Sequence, residues 1–242
     1  MPSKSFFGLP FRLAATVALS CLLCACQGTV PTDYGGNDAG HVVMGIGAVA
    51  DSPYTRYAFT FRRSGDNATF RLVYFITPQL RLSTPIRYQT PDEAGVIEAA
   101  SIPRGKYEMV NFEAAINLGL ATQNFSARQD FSIPFEVRAN EVVYLGNYQG
   151  NPIRARTESG RVVARGPFFV VEDRSAADLR LAKDRIPSLP TERVINATPD
   201  ADQLRIPFFV SVGEAKLARQ RANSALQPVP RDLSRDDVYK QQ

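Results

Sequence analysis

The residues best suited to chemistry in this 242-residue chain are three cysteines and one histidine, and their placement removes more reactions than it allows. Cys21, Cys24 and Cys26 crowd together behind an apolar run, and no cysteine follows. His41 stands alone, so neither a Ser-His-Asp triad nor a multi-histidine metal centre can be assembled. A thiolate nucleophile or thiolate ligand set is equally out of reach for the rest of the chain. What remains is carboxylate chemistry, as in glycoside hydrolysis, where two carboxyl groups flank one bond. Asp92 with Glu93 and Glu172 with Asp173 are sequence neighbours, and adjacent side chains on a strand point to opposite faces. These pairs, and Asp200 with Asp202, read as solvated loop or cap charges. The chain has no Gly-rich phosphate loop. The expectation is a non-enzyme with no catalytic residue, cofactor or metal.

The cysteines therefore need another use. Lys4 and Arg12 precede Leu13 to Leu23, an uncharged apolar stretch, in the order of a secretory n-region and h-region. The run is shorter than the roughly 18 to 20 apolar residues of a spanning helix and ends in small residues. Leu23-Cys24-Ala25-Cys26 places an apolar residue at −3 and a small one at −1 before a cysteine, and resembles the bacterial lipoprotein signal. Cys21 and Cys24 fit less well, with Ala18 at −3 and Leu23 at −1 respectively. The resemblance implies that residues 1–25 are a lipoprotein signal peptide and that Cys26 is the lipidation site. Its thiol would take a diacylglycerol and its amine a third, palmitate-like chain. Each buried methylene contributes about 0.8 kcal/mol, so two or three chains anchor where one is marginal. Gln27, rather than Asp, follows, which resembles the pattern sorted to the outer membrane. An ordinary cleaved signal with incidental cysteines is the alternative.

Residues 26–40 are polar and rich in Gly, the composition of a flexible tether with a root-mean-square reach of about 20 Å. Asp33 and Asp38 lack the alternating oxygens and closing Glu of a calcium loop. From His41 the period is two. Tyr57, Phe59 and Phe61 alternate with polar or small residues, Ser64 to Asn67 turns the chain, and Phe70, Leu72, Tyr74 and Ile76 resume, which predicts a hairpin. Val110, Phe112, Ala114, Ile116 and Leu118 share one predicted face; Phe131, Ile133, Phe135 and Val137 share another, with Pro134 marking an edge or bulge. Residues 141–148 and 161–171 predict two more strands.

This spacing, without intervening helices, predicts a mainly β, antiparallel sandwich over residues 41–172. Ile102-Pro103-Arg104-Gly105-Lys106-Tyr107, followed by Phe135-Glu136-Val137 and Val143-Tyr144-Leu145-Gly146, resembles the prealbumin-like (transthyretin-like) sandwich of carboxypeptidase regulatory-like domains and several bacterial lipoproteins. Those domains are mostly non-catalytic, and no site residue carries over. The type VI secretion lipoprotein shares that architecture, an analogy of fold only.

Residues 173–227 predict a C-terminal extension with one or two helices. Ser175 is placed as a cap, with Asp178 at N3 and Leu179, Ala182 and Ile186 as the apolar stripe before Pro187. A weakly amphipathic helix follows from about 213 to 225. Arg165-Gly166-Pro167-Phe168-Phe169-Val170 and Arg205-Ile206-Pro207-Phe208-Phe209-Val210 echo one another, too little for a repeat array. Residues 228–242 have the composition of a disordered tail.

Charge gives no nucleic-acid footprint: without Lys4 and Arg12, 26 of the 28 basic residues face 24 acidic ones. Arg154, Arg156, Arg161 and Arg165 read as solvated strand faces. The function expected is that of a cell-envelope lipoprotein with a membrane and an envelope protein as partners. A glycan or small-ligand binding module is the alternative, and a carboxylate-dependent hydrolase comes third.

Overall fold

The computed structural model describes residues 28–76 and 86–224. The signal segment, Cys26 and the 228–242 tail lie outside the described residues. The first ten strands are β1 (Ala39–Val49), β2 (Arg56–Arg63), β3 (Thr69–Phe75), β4 (Ile86–Gln89), β5 (Glu93–Pro103), β6 (Gly105–Asn117), β7 (Thr122–Ser126), β8 (Ile133–Val137), β9 (Val142–Arg156) and β10 (Val162–Glu172). Helix α1 (Ser175–Arg185), β11 (Val194–Asn196), β12 (Phe209–Ser211) and helix α2 (Ala215–Ser224) complete the described chain.

Among the described residues the strands make two sheets. One runs β12-β10-β9-β1-β5-β4, with β11 also on β9; the other runs β3-β2-β6-β7, with β8 also on β6. Inward-facing residues of both sheets share one core, in which Phe169 is the hub: Phe59 and Phe112 each meet its ring at 5.0 Å. Tilted and edge-to-face aromatic contacts of this kind add about 0.5–1.5 kcal/mol beyond area burial.

The larger sheet is mixed rather than antiparallel. β9 runs parallel to β1 and β11, and β12 parallel to β10. Between β1 and β9 the chain builds the whole second sheet, so their parallel pairing needs no crossover helix.

Residues 173–224 are not an appendage. The echo of residues 165–170 at 205–210 is a strand pair, with Phe169 opposite Phe209 and Val170 opposite Val210. Phe168, Phe169, Val170 and Val171 are all buried, as in a strand covered on both faces. The inner cover is the main core; the outer is α2, whose Ala215, Ala218 and Ala222 pack on Phe168, Val170 and Ile153.

The flexible reading of residues 26–40 is also corrected, for 28–38. Val30 is 1% exposed and sits in the main core. Its N–H donates to Thr69 O at 2.8 Å, and Thr69 N–H donates to Gly28 O at 2.9 Å. Ser101 and Tyr34 hold the next stretch through Tyr34 N to Ser101 O and Ser101 Oγ to Tyr34 O. Polar, Gly-rich composition reported on the side chains, while the backbone found ladder partners at the ends of β3 and β5.

In β6 the inward set is Tyr107, Met109, Phe112 and Ala114, because the ladder shifts between Thr60 and Phe61. The shift leaves Val110 partly exposed, and Leu118 is 62% exposed. Pro134 lies in β8, which among the described residues pairs only with β6 and forms an edge there.

Candidate functional site

Two apolar patches cover the outer face of the larger sheet, one under each helix. Ala182, with Leu179 and Ile186 beside it, packs on Val43, Ile97, Val142 and Tyr144, while α2 covers Ile153, Phe168 and Val170. Between them β9 turns polar: Asn147 and Asn151 are buried and Gln149 half-buried. Gly146, at φ +99°, makes the irregularity that puts Asn147 outward after inward Leu145.

Asp178 of α1 descends onto this strip and is fully buried. Tyr144 OH donates to its Oδ2 at 2.7 Å and Asn147 Nδ2 donates to the same oxygen at 3.0 Å. Its Oδ1 makes no hydrogen bond and lies 4.0 Å from Arg174 Nε. Burial is the main influence on this carboxyl and raises its pKa; the Asn147 and Tyr144 hydrogen bonds and the Arg174 charge oppose it. Arg174 itself turns to Glu93, whose Oε1 is 2.5 Å from Nη1, and its guanidinium lies 4.7 Å from the centre of the Tyr88 ring.

The network continues across the sheet. Tyr88 OH donates to Asn147 Oδ1 at 3.2 Å, and Gln149 Nε2 donates to Glu93 Oε2. Arg219 of α2 donates to Gln149 Oε1 and Asn151 Oδ1, each at 3.0 Å. A floor of Gly45, Gly47 and Gly95 makes room: a Cβ at Gly45 would lie 2.8 Å from Asp178 Oδ2, and one at Gly47 or Gly95 would overlap Tyr88. Tyr88 and Tyr144 have hydroxyl pKa values raised chiefly by burial, so both act as hydrogen-bond donors.

Two carboxyl groups in one network, one of them with a raised pKa, are an arrangement that acid–base catalysis uses. Here, however, Glu93 is occupied by Arg174 and Gln149, and Asp178 is covered by its own helix. The arrangement clamps two helices to a sheet. Among the described residues, open grooves of about 360 Å³ along α1 and of about 390 and 400 Å³ beside β6 are lined by other residues.

The carboxylates singled out in the sequence are dispersed. Glu93 joins the network, whereas Asp173 accepts from Ser175 N and Asn196 Nδ2. Ser175 is the first residue of α1 rather than its cap: the cap position is Arg174, whose side chain makes no capping hydrogen bond. Asp200 accepts from the backbone of Asp202 and Gln203. His41 sits within β1, and burial lowers its pKa. Arg154 pairs with Asp51 at 2.7 Å, and Arg156 donates to Gly160 O. Among the described residues no group of His, Cys, Asp and Glu is arranged to hold a metal, and no helix is long and apolar enough to cross a membrane. Tyr54, Tyr57, Tyr74, Tyr107, Tyr144 and Tyr148 are all buried, and Tyr88 is half-buried. Sequence reasoning missed the Asp178 network; its one legible trace is the polar set Asn147, Gln149 and Asn151 in a strand otherwise apolar at its start.

No protein-family model matches the chain, and no curated protein matches it. Among solved structures, the chain is similar over 48% of its length to 14% of a leucine-rich repeat protein from Bacteroides thetaiotaomicron, at 15% identity and a TM-score of 0.30. What is established is the architecture: a mainly β, two-sheet sandwich closed on one outer face by two short helices.

Proposed function

We propose that this chain is a lipid-anchored cell-envelope protein, held by Cys26 at the outer membrane and working as a non-enzymatic interaction or assembly module. The observation that carries the reading is the box Leu23-Cys24-Ala25-Cys26, set behind a charged n-region and a short apolar run. Gln27 supports outer-membrane sorting. The mutual pairing of Asp178, Arg174, Glu93, Gln149 and Arg219 supports a structural role for these groups. The prealbumin-like fold assignment belongs to this proposal as well. It is supported by the Ile102 to Tyr107 corner, where Tyr107 OH donates to Pro103 O at 2.7 Å and fixes the passage from β5 to β6.

Mass spectrometry of the protein extracted from membranes tests the anchor: the N-terminal peptide should begin at Cys26 and carry acyl chains. A Cys26→Ser variant should stay unprocessed and leave the acylated fraction. An unacylated N-terminus overturns the reading. Mild detergent extraction should then bring a stoichiometric protein partner with the wild-type chain. Saturable glycan binding without such a partner would favour the ligand-binding alternative, and glycoside turnover abolished by one carboxylate change would favour a hydrolase.

A further inference from the structure

We infer that the anchored protein stands upright on a leash of two residues, with the β5–β6 corner against the bilayer and the β6–β7 hairpin tip held away from it. The inference rests on the lipid anchor proposed above and adds an orientation that the anchor alone does not give. Gly28 already accepts a hydrogen bond from Thr69 N, and Val30 is buried. Cys26 and Gln27 span at most about 7 Å of extended chain. A flexible tether running to residue 40 would instead leave the domain free to tumble over about 20 Å.

The direction of the first packed strand decides which end faces the lipid. Residues around Thr29 pair in parallel with those around Thr69, at the start of β3. β3 is antiparallel to β2, and β2 to β6, so β3 and β6 run the same way. The chain therefore enters from beyond the end that carries Thr69, the Ser64 to Asn67 turn and the Arg104 corner. Asp33 pairs with Ser101, two residues before Pro103, which ties the entering segment to that same corner. Arg104 N–H donates to Asp38 O, closing it.

β6 leads from this corner to the opposite pole. Its 13 residues, at about 3.3 Å each, place the tip roughly 40 Å away. That tip is built rather than loose: Gly119 N–H donates to Asn117 Oδ1 at 2.8 Å, and Leu118 N–H donates to Ala121 O at 2.8 Å. It displays Leu118 at 62% and Leu120 at 109% exposure. The bilayer that holds the anchor lies at the other pole, so it does not cover these leucines. They face outward from the membrane.

The test uses the absence of cysteine after Cys26, which lets one introduced thiol be labelled in the acylated protein. Arg104→Cys and Leu120→Cys variants, each carrying a fluorophore, are reconstituted into vesicles containing a lipid with a headgroup nitroxide. The label at 104 is expected to lose most of its emission and the label at 120 to keep it. Lys106→Cys serves as a second label at the lower pole should the corner not tolerate the first. A long Gly-Ser insert between Gln27 and Gly28 should abolish the difference. Acylated protein in which both labels are quenched alike, or only the label at 120, overturns the inference and leaves the anchor standing. Protein lacking acyl chains overturns both.

Discussion

Replacing Asp178 separates two accounts of the buried network, because the carboxyl is either a neutral hydrogen-bond partner or a charge held by Arg174. Tyr144 OH and Asn147 Nδ2 both end on Oδ2, while Oδ1 stays 4.0 Å from Arg174. Burial raises the carboxyl pKa in the folded chain. Folding then favours the protonated form. The stability contributed is fully present below the unfolded-state value of about 3.9 and is lost as pH rises through the folded value. Tyr88, Tyr144, Arg174 and Glu93 are the titratable or charged neighbours in the network. Asp178→Asn keeps an oxygen for both donors and removes the charge, so it should unfold within about 1 kcal/mol of wild type near pH 4. Above that pH the variant should gain on the wild type. Asp178→Ala strands two buried donors, each costing about 1–3 kcal/mol, and should lose about 2–6 kcal/mol. Urea unfolding of the chain from Gln27 onward, from pH 4 to 8, reads both. A wild type that gains on Asp178→Asn as pH rises would refute the neutral-partner account and assign an ionised carboxylate paired with Arg174.

Four further outcomes follow from packing. Gly45→Ala places a Cβ against Asn147 Nδ2 and Asp178 Oδ2 and should cost about 1–3 kcal/mol in the same assay. Phe209→Ala, at the pair with Phe169, should cost about 3–5 kcal/mol in a single cooperative transition, whereas a separate C-terminal extension would melt in a transition of its own. Tyr107→Phe removes the bond to Pro103 O and should cost about 1 kcal/mol by urea midpoint. Val30→Ala should cost about 2 kcal/mol, and the Val30 amide should exchange slowly with solvent; fast exchange there would restore the flexible reading of this stretch.

The legible part of the fold is the part with period two. The hairpin of β2 and β3 and the strand at Ile133–Val137 alternate, and alternation places side chains on faces. The partners of those strands are another matter. β1 and β9 pair in parallel across about a hundred residues of chain, and no local feature at His41 or Val142 announces it. β6 shows the limit within one strand: its inward set changes phase because the β2 ladder shifts between Thr60 and Phe61, so Met109 rather than Val110 turns inward. Asp178 reads from sequence as a first-turn acid facing the helix dipole. It becomes a core residue only because Gly45 and Gly146 let β1 and β9 offer it space and donors.

Two short helices on a β-sandwich face need a reason to stay there, and their own sequences supply little. α1 brings Leu179, Ala182 and Ile186, and α2 brings mainly alanines, so each buries modest apolar area. The polar strip on β9 supplies what the stripes lack. Asp178 fixes α1 from above, Arg219 fixes α2 from the side, and Glu93, Arg174 and Gln149 join them through one sheet face. A bare helix stripe tolerates sliding by a turn, whereas hydrogen bonds to Asn147, Gln149 and Asn151 accept one register. The same residues hold β10 between α2 and the core, where the Phe169 and Phe209 pair makes residues 173–224 inseparable from the sandwich. The network therefore acts on specificity of packing more than on its strength. Asp178→Asn should accordingly leave α1 in place, while Asp178→Ala should expose the Tyr144 and Val142 patch to a hydrophobic dye before global unfolding.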